Sequence, residues 1–182
     1  GILEKLRKVL NARDLARSSS GKLADDPAIK QLTLLTNKPQ IYLLNGKEEN
    51  VPLELIEEIK TLGGDYLILD LASENNLDAL IRLAYEVLGL ITFFTFGEDE
   101  TRAWQIPRGV TVRQAAGTIH TDFEERFIKA DVINWEKLGE AGCPSINSGQ
   151  SPWAIAKQKG WMRLEGKEYL MQDGDVMEVK HN

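Results

Sequence analysis

Two short apolar runs, each followed by a stretch with helical periodicity, constrain this chain most. Ile41-Tyr42-Leu43-Leu44 follows Pro39, and Tyr66-Leu67-Ile68-Leu69 follows Gly63-Gly64; each has the length and turn-residue boundaries of a strand buried on both faces. Between them, Pro52 to Leu62 carries Leu55, Ile56 and Ile59 at helical spacing and stops at the glycine pair, where a left-handed residue ends a helix without steric cost. Leu77 to Leu88 reads as the helix after the second run. Strand, helix, strand, helix requires a crossover and parallel pairing, as in nucleotide-binding α/β domains. Two strands are too few for a finished sheet.

The flanks differ from this centre. Upstream, Ile2, Leu3, Leu6, Val9 and Leu10 recur at helical spacing, predicting an amphipathic helix from Ile2 to about Leu15 that the Ser18-Ser19-Ser20-Gly21 cluster ends. A second helix is expected from Pro27, favourable in a first turn after Asp25-Asp26, to Leu35, the two forming a hairpin. Downstream of Ile91 the pattern shifts to shorter strands: Ile91–Phe96, Arg102–Ile106, Phe127–Trp135, Met162–Leu164, Tyr169–Gln172 and Val176–Val179. One helix is expected among them, opening at Thr111 with Gln114 three residues later as a capping box. A mostly β unit with one helix after its first hairpin fits a small β-grasp domain, and places a boundary near Gly89. The fold class expected is therefore α/β plus α+β.

Composition narrows the function classes. An apolar fraction of 42% over 182 residues is that of one ordinary or two small globular domains. No apolar run approaches the ~20 residues of a membrane-crossing helix. Gly1-Ile2-Leu3 shows neither an initiator methionine nor a signal-peptide pattern, and reads as the interior of a longer polypeptide. The single cysteine, Cys143, excludes an internal disulfide, and His120 and His181 offer no zinc spacing, so a reducing cytoplasm and no metal site are expected. The formal charge of −6 argues against a uniformly nucleic-acid-binding surface, but residues 1–30 carry seven Lys/Arg against four acids. Residues 91–182 carry eleven against fourteen, so any RNA contact there needs a local face.

Specific motifs carry a resemblance. Arg102-Ala103-Trp104-Gln105-Ile106-Pro107-Arg108-Gly109 continues through Gln114-Ala115-Ala116-Gly117 to Ile119-His120-Thr121-Asp122-Phe123-Glu124. Phe127-Ile128-Lys129-Ala130-Asp131-Val132, Arg163-Leu164-Glu165-Gly166-Lys167-Glu168-Tyr169 and Gln172-Asp173-Gly174-Asp175-Val176-Met177 follow in order. Together they closely resemble the TGS domain of YchF-type Obg-like ATPases. Upstream, Leu35-Thr36-Asn37-Lys38-Pro39-Gln40-Ile41-Tyr42-Leu43-Leu44-Asn45 resembles that family's strand leading to its base-recognition loop, and Asn45-Gly46-Lys47-Glu48 matches the loop's Asn-x-x-Glu pattern.

The resemblance implies residues 1–36 as part of a helical arm, 37–90 as the C-terminal part of a P-loop-type nucleotide-binding domain, and 91–182 as a β-grasp TGS domain. It implies base contact by Asn45, Gly46 and Glu48. An aspartate in the last place accepts from guanine's amino and imino groups, whereas adenine offers one donor and ring acceptors, so ATP is the expected nucleotide, with GTP the alternative. In the family's second base loop, Ser-Ala-Lys is replaced here by Asp70-Leu71-Ala72, while Glu74 and Leu77 fit.

A P-loop needs Gly-x-x-x-x-Gly-Lys-Ser/Thr to cradle phosphates and magnesium. Neither Gly21-Lys22-Leu23 nor Gly46-Lys47-Glu48 supplies it. The expectation is a C-terminal fragment without catalytic residues, inactive and without a tightly bound nucleotide by itself, from a parent that binds and hydrolyses ATP with Mg2+. The expected partners are the ribosome or RNA and the missing N-terminal part, with no membrane. Lys5, Lys8, Arg13, Arg17, Arg102, Arg108 and Arg113 are the candidate RNA contacts. The alternative is a stand-alone TGS module recognising RNA, a regulatory nucleotide or a protein. Trp104, Trp135, Trp153 and Trp161 could stack on bases but are expected as core or rim packing, and His120-Thr121-Asp122 as helix-end structure.

Overall fold

The computed structural model describes residues 1–12, 14–18, 23–73, 77–97, 100–142 and 151–181. Arg13, Ser19 to Gly21, Glu74 and Cys143 lie outside the described residues. The chain forms two compact units, Gly1–Leu88 and Gly89–Asn182.

The first unit opens with α1 (Ile2–Asn11) and α2 (Pro27–Gln31). Leu6, Ala16, Leu23 and Ile29 form its helical core, joined by Ile2, Val9 and Leu34. Both helices are shorter than their apolar spacing predicts. The chain leaves α1 at Ala12, and a separate turn of tighter helix spans Ala16–Ser18. Asp26 caps α2 by accepting from the Ala28 N–H at 2.9 Å, with Pro27 in the first turn, but Thr33 adopts φ of +49°. That left-handed conformation is disfavoured for a β-branched residue and ends the helix before Leu35.

Beyond them β1 (Ile41–Asn45), α3 (Leu53–Thr61), β2 (Asp65–Leu69) and α4 (Asp78–Leu88) follow in the predicted order. β1 and β2 pair in parallel, Ile41 opposite Asp65 through Asn45 opposite Leu69, as the crossover grammar requires. Parallel register aligns the carboxyl ends of the two strands, so the loops leaving Asn45 and Leu69 meet at one end of the sheet.

The second unit is a five-stranded mixed sheet in the order β4-β3-β7-β5-β6. Its strands are β3 (Leu90–Phe96), β4 (Thr101–Pro107), β5 (Phe127–Asn134), β6 (Arg163–Glu165) and β7 (Asp175–His181). β3 and β7 run parallel; the other neighbours are antiparallel. Alternation along the strands feeds two cores. Ile91, Phe93, Val132 and Met177 point to one face and meet Val112, Ala115 and Ala116 of α5 (Val112–Ile119). The Thr111–Gln114 capping box of α5 is present in both directions. Ile133 and Val176 point to the other face and pack with Trp153 and Ala156 of α8 (Pro152–Gln158).

Sequence patterning predicts one helix here; among the described residues there are four. α6 (Thr121–Glu125), α7 (Trp135–Gly139) and α8 are too short for apolar periodicity, and each is set instead by its cap. His120 Nδ1 accepts from the Asp122 N–H, Asn134 Oδ1 from the Glu136 N–H and Ser151 Oγ from the Ala154 N–H. Tyr169–Gln172 is not a strand of the sheet. It pairs outside the named strands, Leu170 opposite Thr111, with the Val112 N–H donating to the Tyr169 carbonyl and the Met171 N–H to that of Val110, while the Tyr169 hydroxyl and the Gln172 N–H turn toward Asp175.

Asp175 is 1% exposed. Its Oδ1 accepts from Arg163 Nη2 at 3.2 Å, and its Oδ2 from the Tyr169 hydroxyl and the Gln172 N–H, each at 2.9 Å. A buried carboxylate with three donors is stable in place, and removing it strands a guanidinium, a hydroxyl and an N–H. Replacing Asp175 with Ala is therefore expected to cost about 1–3 kcal/mol in a denaturant titration, with Asp175→Asn costing less because it keeps one acceptor. Burial first, and Asp175 second, push the Tyr169 phenol from 10.0 up to about 12. The folded phenol holds its proton longer than the unfolded one, so this contribution is intact below pH 10 and is lost as pH rises towards 12. An absorbance titration of phenolate should show one late-ionising tyrosine, absent from Tyr169→Phe.

Candidate functional site

At the carboxyl end of the parallel pair, where ligands of open α/β sheets bind, two loops are tied together. The Asn45 side chain accepts through Oδ1 from the Leu71 N–H at 3.0 Å, and the Gly46 N–H donates to the Leu69 carbonyl at 3.2 Å. Gly46 has φ of +150°, outside the range comfortable for a side chain, and lets the chain turn sharply out of β1. Lys47 then leads into a turn of tight helix, Glu48–Asn50. Glu48 is exposed at its start.

The second loop is ordered by its own residues. Asp70 Oδ1 accepts from the Ala72 N–H at 3.0 Å, and the Asp70 carbonyl accepts from the Ser73 N–H at 3.1 Å. The Ser73 side chain first, and the Ala72 N–H second, hold the Asp70 carboxyl below the usual carboxylate range. The loop therefore presents an anionic turn beside Asn45. With Oδ1 engaged by Leu71, the Asn45 amide keeps its NH2 as a donor, and the exposed Glu48 carboxylate is an acceptor. Those are the two complements that adenine offers.

The basic candidates fall into different places. Lys5 and Lys8 are exposed on α1. Arg17 is partly buried, with Nη1 enclosed and unpartnered, as is Asn37 Oδ1. Both line an open cleft of about 640 Å³ with Lys30, Lys38 and Asp25; Lys30 pairs with Asp25 at 3.0 Å. In the second unit, Arg102 and Arg108 flank β4 at opposite ends. About six residues of extended chain separate them by roughly 20 Å, so they do not form one patch. Arg108 is exposed in the turn after β4, and its N–H donates to Gly89. Arg113 donates from Nε to the Glu124 carbonyl at 3.2 Å. The Arg102 guanidinium covers the Trp104 ring at 4.3 Å beside a cleft of about 450 Å³ that includes Phe96, Phe123 and Met177.

His120 and Asp122 form a cap rather than a reactive pair, with Nδ1 accepting from the Asp122 N–H at 3.2 Å. Among the described residues no group of three or more His, Cys, Asp or Glu is arranged to hold a metal ion, and no helix is long and apolar enough to cross a membrane. One cluster escapes a reading based on charge totals. Lys137 and Lys159 each lie 4.4 Å from the Trp161 ring centroid. The signal was local: Lys159-Gly160-Trp161-Met162-Arg163 places cations on both sides of an aromatic.

Residues 90–182 match the family model YchF-GTPase_C, whose description reads "Protein of unknown function (DUF933)". The whole chain aligns at 35% identity with 55% of the "Ribosome-binding ATPase YchF" of Bacillus subtilis, and likewise with that of Escherichia coli O157:H7. It aligns at 31% identity with 51% of "Obg-like ATPase 1" of Oryza sativa subsp. japonica. The chain thus spans about half the length of the curated relatives it matches. The solved YchF GTPase of Schizosaccharomyces pombe superposes with a TM-score of 0.73 at 30% identity, over 98% of this chain and 53% of that one. A GTP binding protein from Pyrococcus horikoshii shares the fold at a TM-score of 0.53 and 16% identity, over 99% of this chain and 65% of that one. With its C-terminal half matched by the family's model and its full length aligned with these relatives, the chain belongs to the YchF family of Obg-like ATPases and corresponds to the C-terminal part of its members.

Proposed function

We propose that this chain is the base-sensing and ribosome-facing end of a cytoplasmic ATPase. In this reading residues 1–36 belong to a helical arm, 37–90 complete a P-loop-type nucleotide-binding domain, and 91–182 form a β-grasp TGS domain. The observation that carries it is the Asn45–Leu71 hydrogen bond. It locks the loop bearing Gly46 and Glu48 to the second loop at the sheet end where a nucleotide base would lie. The printed names of the relatives, ribosome-binding ATPases, support the coupling of nucleotide state to ribosome contact.

In the complete protein, Asn45, Gly46 and Glu48 would hold the adenine ring of ATP. The phosphates and Mg2+ need a Gly-x-x-x-x-Gly-Lys-Ser/Thr loop, which this sequence does not contain. Phosphoryl transfer is carried almost entirely by positioning and charge stabilisation of the phosphate oxygens. Without those donors, residues 1–182 do not turn over nucleotide. Lys5, Lys8, Arg13, Arg17, Arg102, Arg108 and Arg113 are the cations proposed to meet rRNA phosphates.

Asn45→Ala in the complete protein is expected to weaken ATP binding about tenfold, close to 1.4 kcal/mol, as measured by calorimetry. Both the loop tie and the ring donor are lost, and an unchanged affinity would remove Asn45 from the base site. The 182-residue chain should release no phosphate from ATP above the buffer rate and should pellet with ribosomes at low salt. Its retention in the supernatant would remove the ribosome-facing role from this part of the protein.

A further inference from the structure

The sheet face covered by α7 and α8 carries a constellation unlike the arginines around β4. Trp161 leaves α8 through the Gly160 turn, packs on the core of Ile133, Trp153, Ala156 and Val176, and stays partly exposed. Lys137 of α7 and Lys159 both place their ammonium groups 4.4 Å from its ring centroid. Beside them a cavity of about 280 Å³ is lined by Asn134, Lys137, Trp161, Arg163 and Gln172.

Of the cations here, Arg163 lies 3.2 Å from Asp175 and 3.7 Å from Glu165. Asp175, the acid in the cavity wall, is buried and saturated by its three donors. Lys137 reaches Glu140 at 2.5 Å, but both side chains are about half exposed, and such pairs contribute little. Lys159 joins no ion pair among the described residues.

A second ring stands nearby. Trp135 is 54% exposed at the start of α7, next to Asn134 of the cavity wall. Its backbone N–H donates to the Gly174 carbonyl at 2.9 Å, and its ring rests against Gly174, where a Cβ would collide with it. Packing on Gly174 leaves the rest of this indole open.

One exposed and one partly exposed indole, bordered by lysines and amides, suit a single-stranded nucleic acid, whose bases stack on rings while phosphates pair with cations. An acidic peptide would use the lysines but leave the rings without partners. We propose that Trp161 and Trp135, with Lys137, Lys159 and Arg163, form a binding site for single-stranded RNA. This rests on the ribosome-facing reading above and adds the α7–α8 face to the cations named there.

Fluorescence anisotropy of a labelled oligouridylate, titrated with the 182-residue chain over a salt series, tests the site. Tryptophan quenching should accompany binding. Lys137→Gln with Lys159→Gln, both exposed, should weaken binding about tenfold and reduce the log–log salt slope by about 1.4, the loss of two phosphate contacts on a single strand. Trp161→Leu should weaken binding while Trp161→Phe restores most of it. Binding and slope unchanged in the double lysine variant would overturn the site and leave the ribosome-facing reading standing. Competition by poly-glutamate as effective as that by unlabelled oligouridylate would overturn RNA as the ligand. Failure of the unaltered chain to bind either oligouridylate or ribosomes at low salt would overturn both readings.

Discussion

The second unit depends on one buried carboxylate. Asp175 opens β7, the strand between β3 and β5, from which Val176 enters one core and Met177 the other. A shift of one residue there would exchange the two faces and put both in the wrong core. Asp175 prevents this by fixing the start of β7 with three hydrogen bonds, to Arg163 in β6 and to Tyr169 and Gln172 in the approach. A charge that is expensive to bury thus specifies register.

The first unit is organised by strand direction. Parallel pairing of β1 with β2 brings two loops to one end, and the Asn45–Leu71 bond joins them. The amide that makes this link retains its NH2 donor, so loop order and the proposed base contact would share one side chain. Replacement of Ser-Ala-Lys by Asp70-Leu71-Ala72 does not remove the loop: Asp70 folds it through Ala72 and Ser73, while its backbone N–H at Leu71 meets Asn45. A backbone donor survives a change of side chain.

Much of this was legible in the sequence, for identifiable reasons. The strand–helix–strand–helix order, its parallel pairing and the Thr111–Gln114 capping box rest on periodicity and spacing, which tertiary packing seldom overrides. The three short helices of the second unit were missed because five to seven residues hold too few apolar positions to show a period; His120, Asn134 and Ser151-Pro152 were the readable signals. α2 was overextended because nothing in Leu32-Thr33-Leu34 announces a left-handed threonine. Charge totals over residues 91–182 obscured the local Lys159-Gly160-Trp161 signal, to which tertiary structure adds Lys137 from a separate segment. The Asn45–Glu48 pattern was readable, but its tie to Leu71 spans 26 residues and needed the fold.

The central claim is that Glu48, standing where an aspartate would select guanine, and Asn45 make an adenine-type base site. Calorimetric titration of the complete, magnesium-loaded protein with ATP and GTP tests this most directly, alongside Glu48→Asp. The account predicts ATP bound at least about tenfold more tightly than GTP, with the preference narrowed or reversed by the substitution. GTP bound more tightly by the unaltered protein would contradict it.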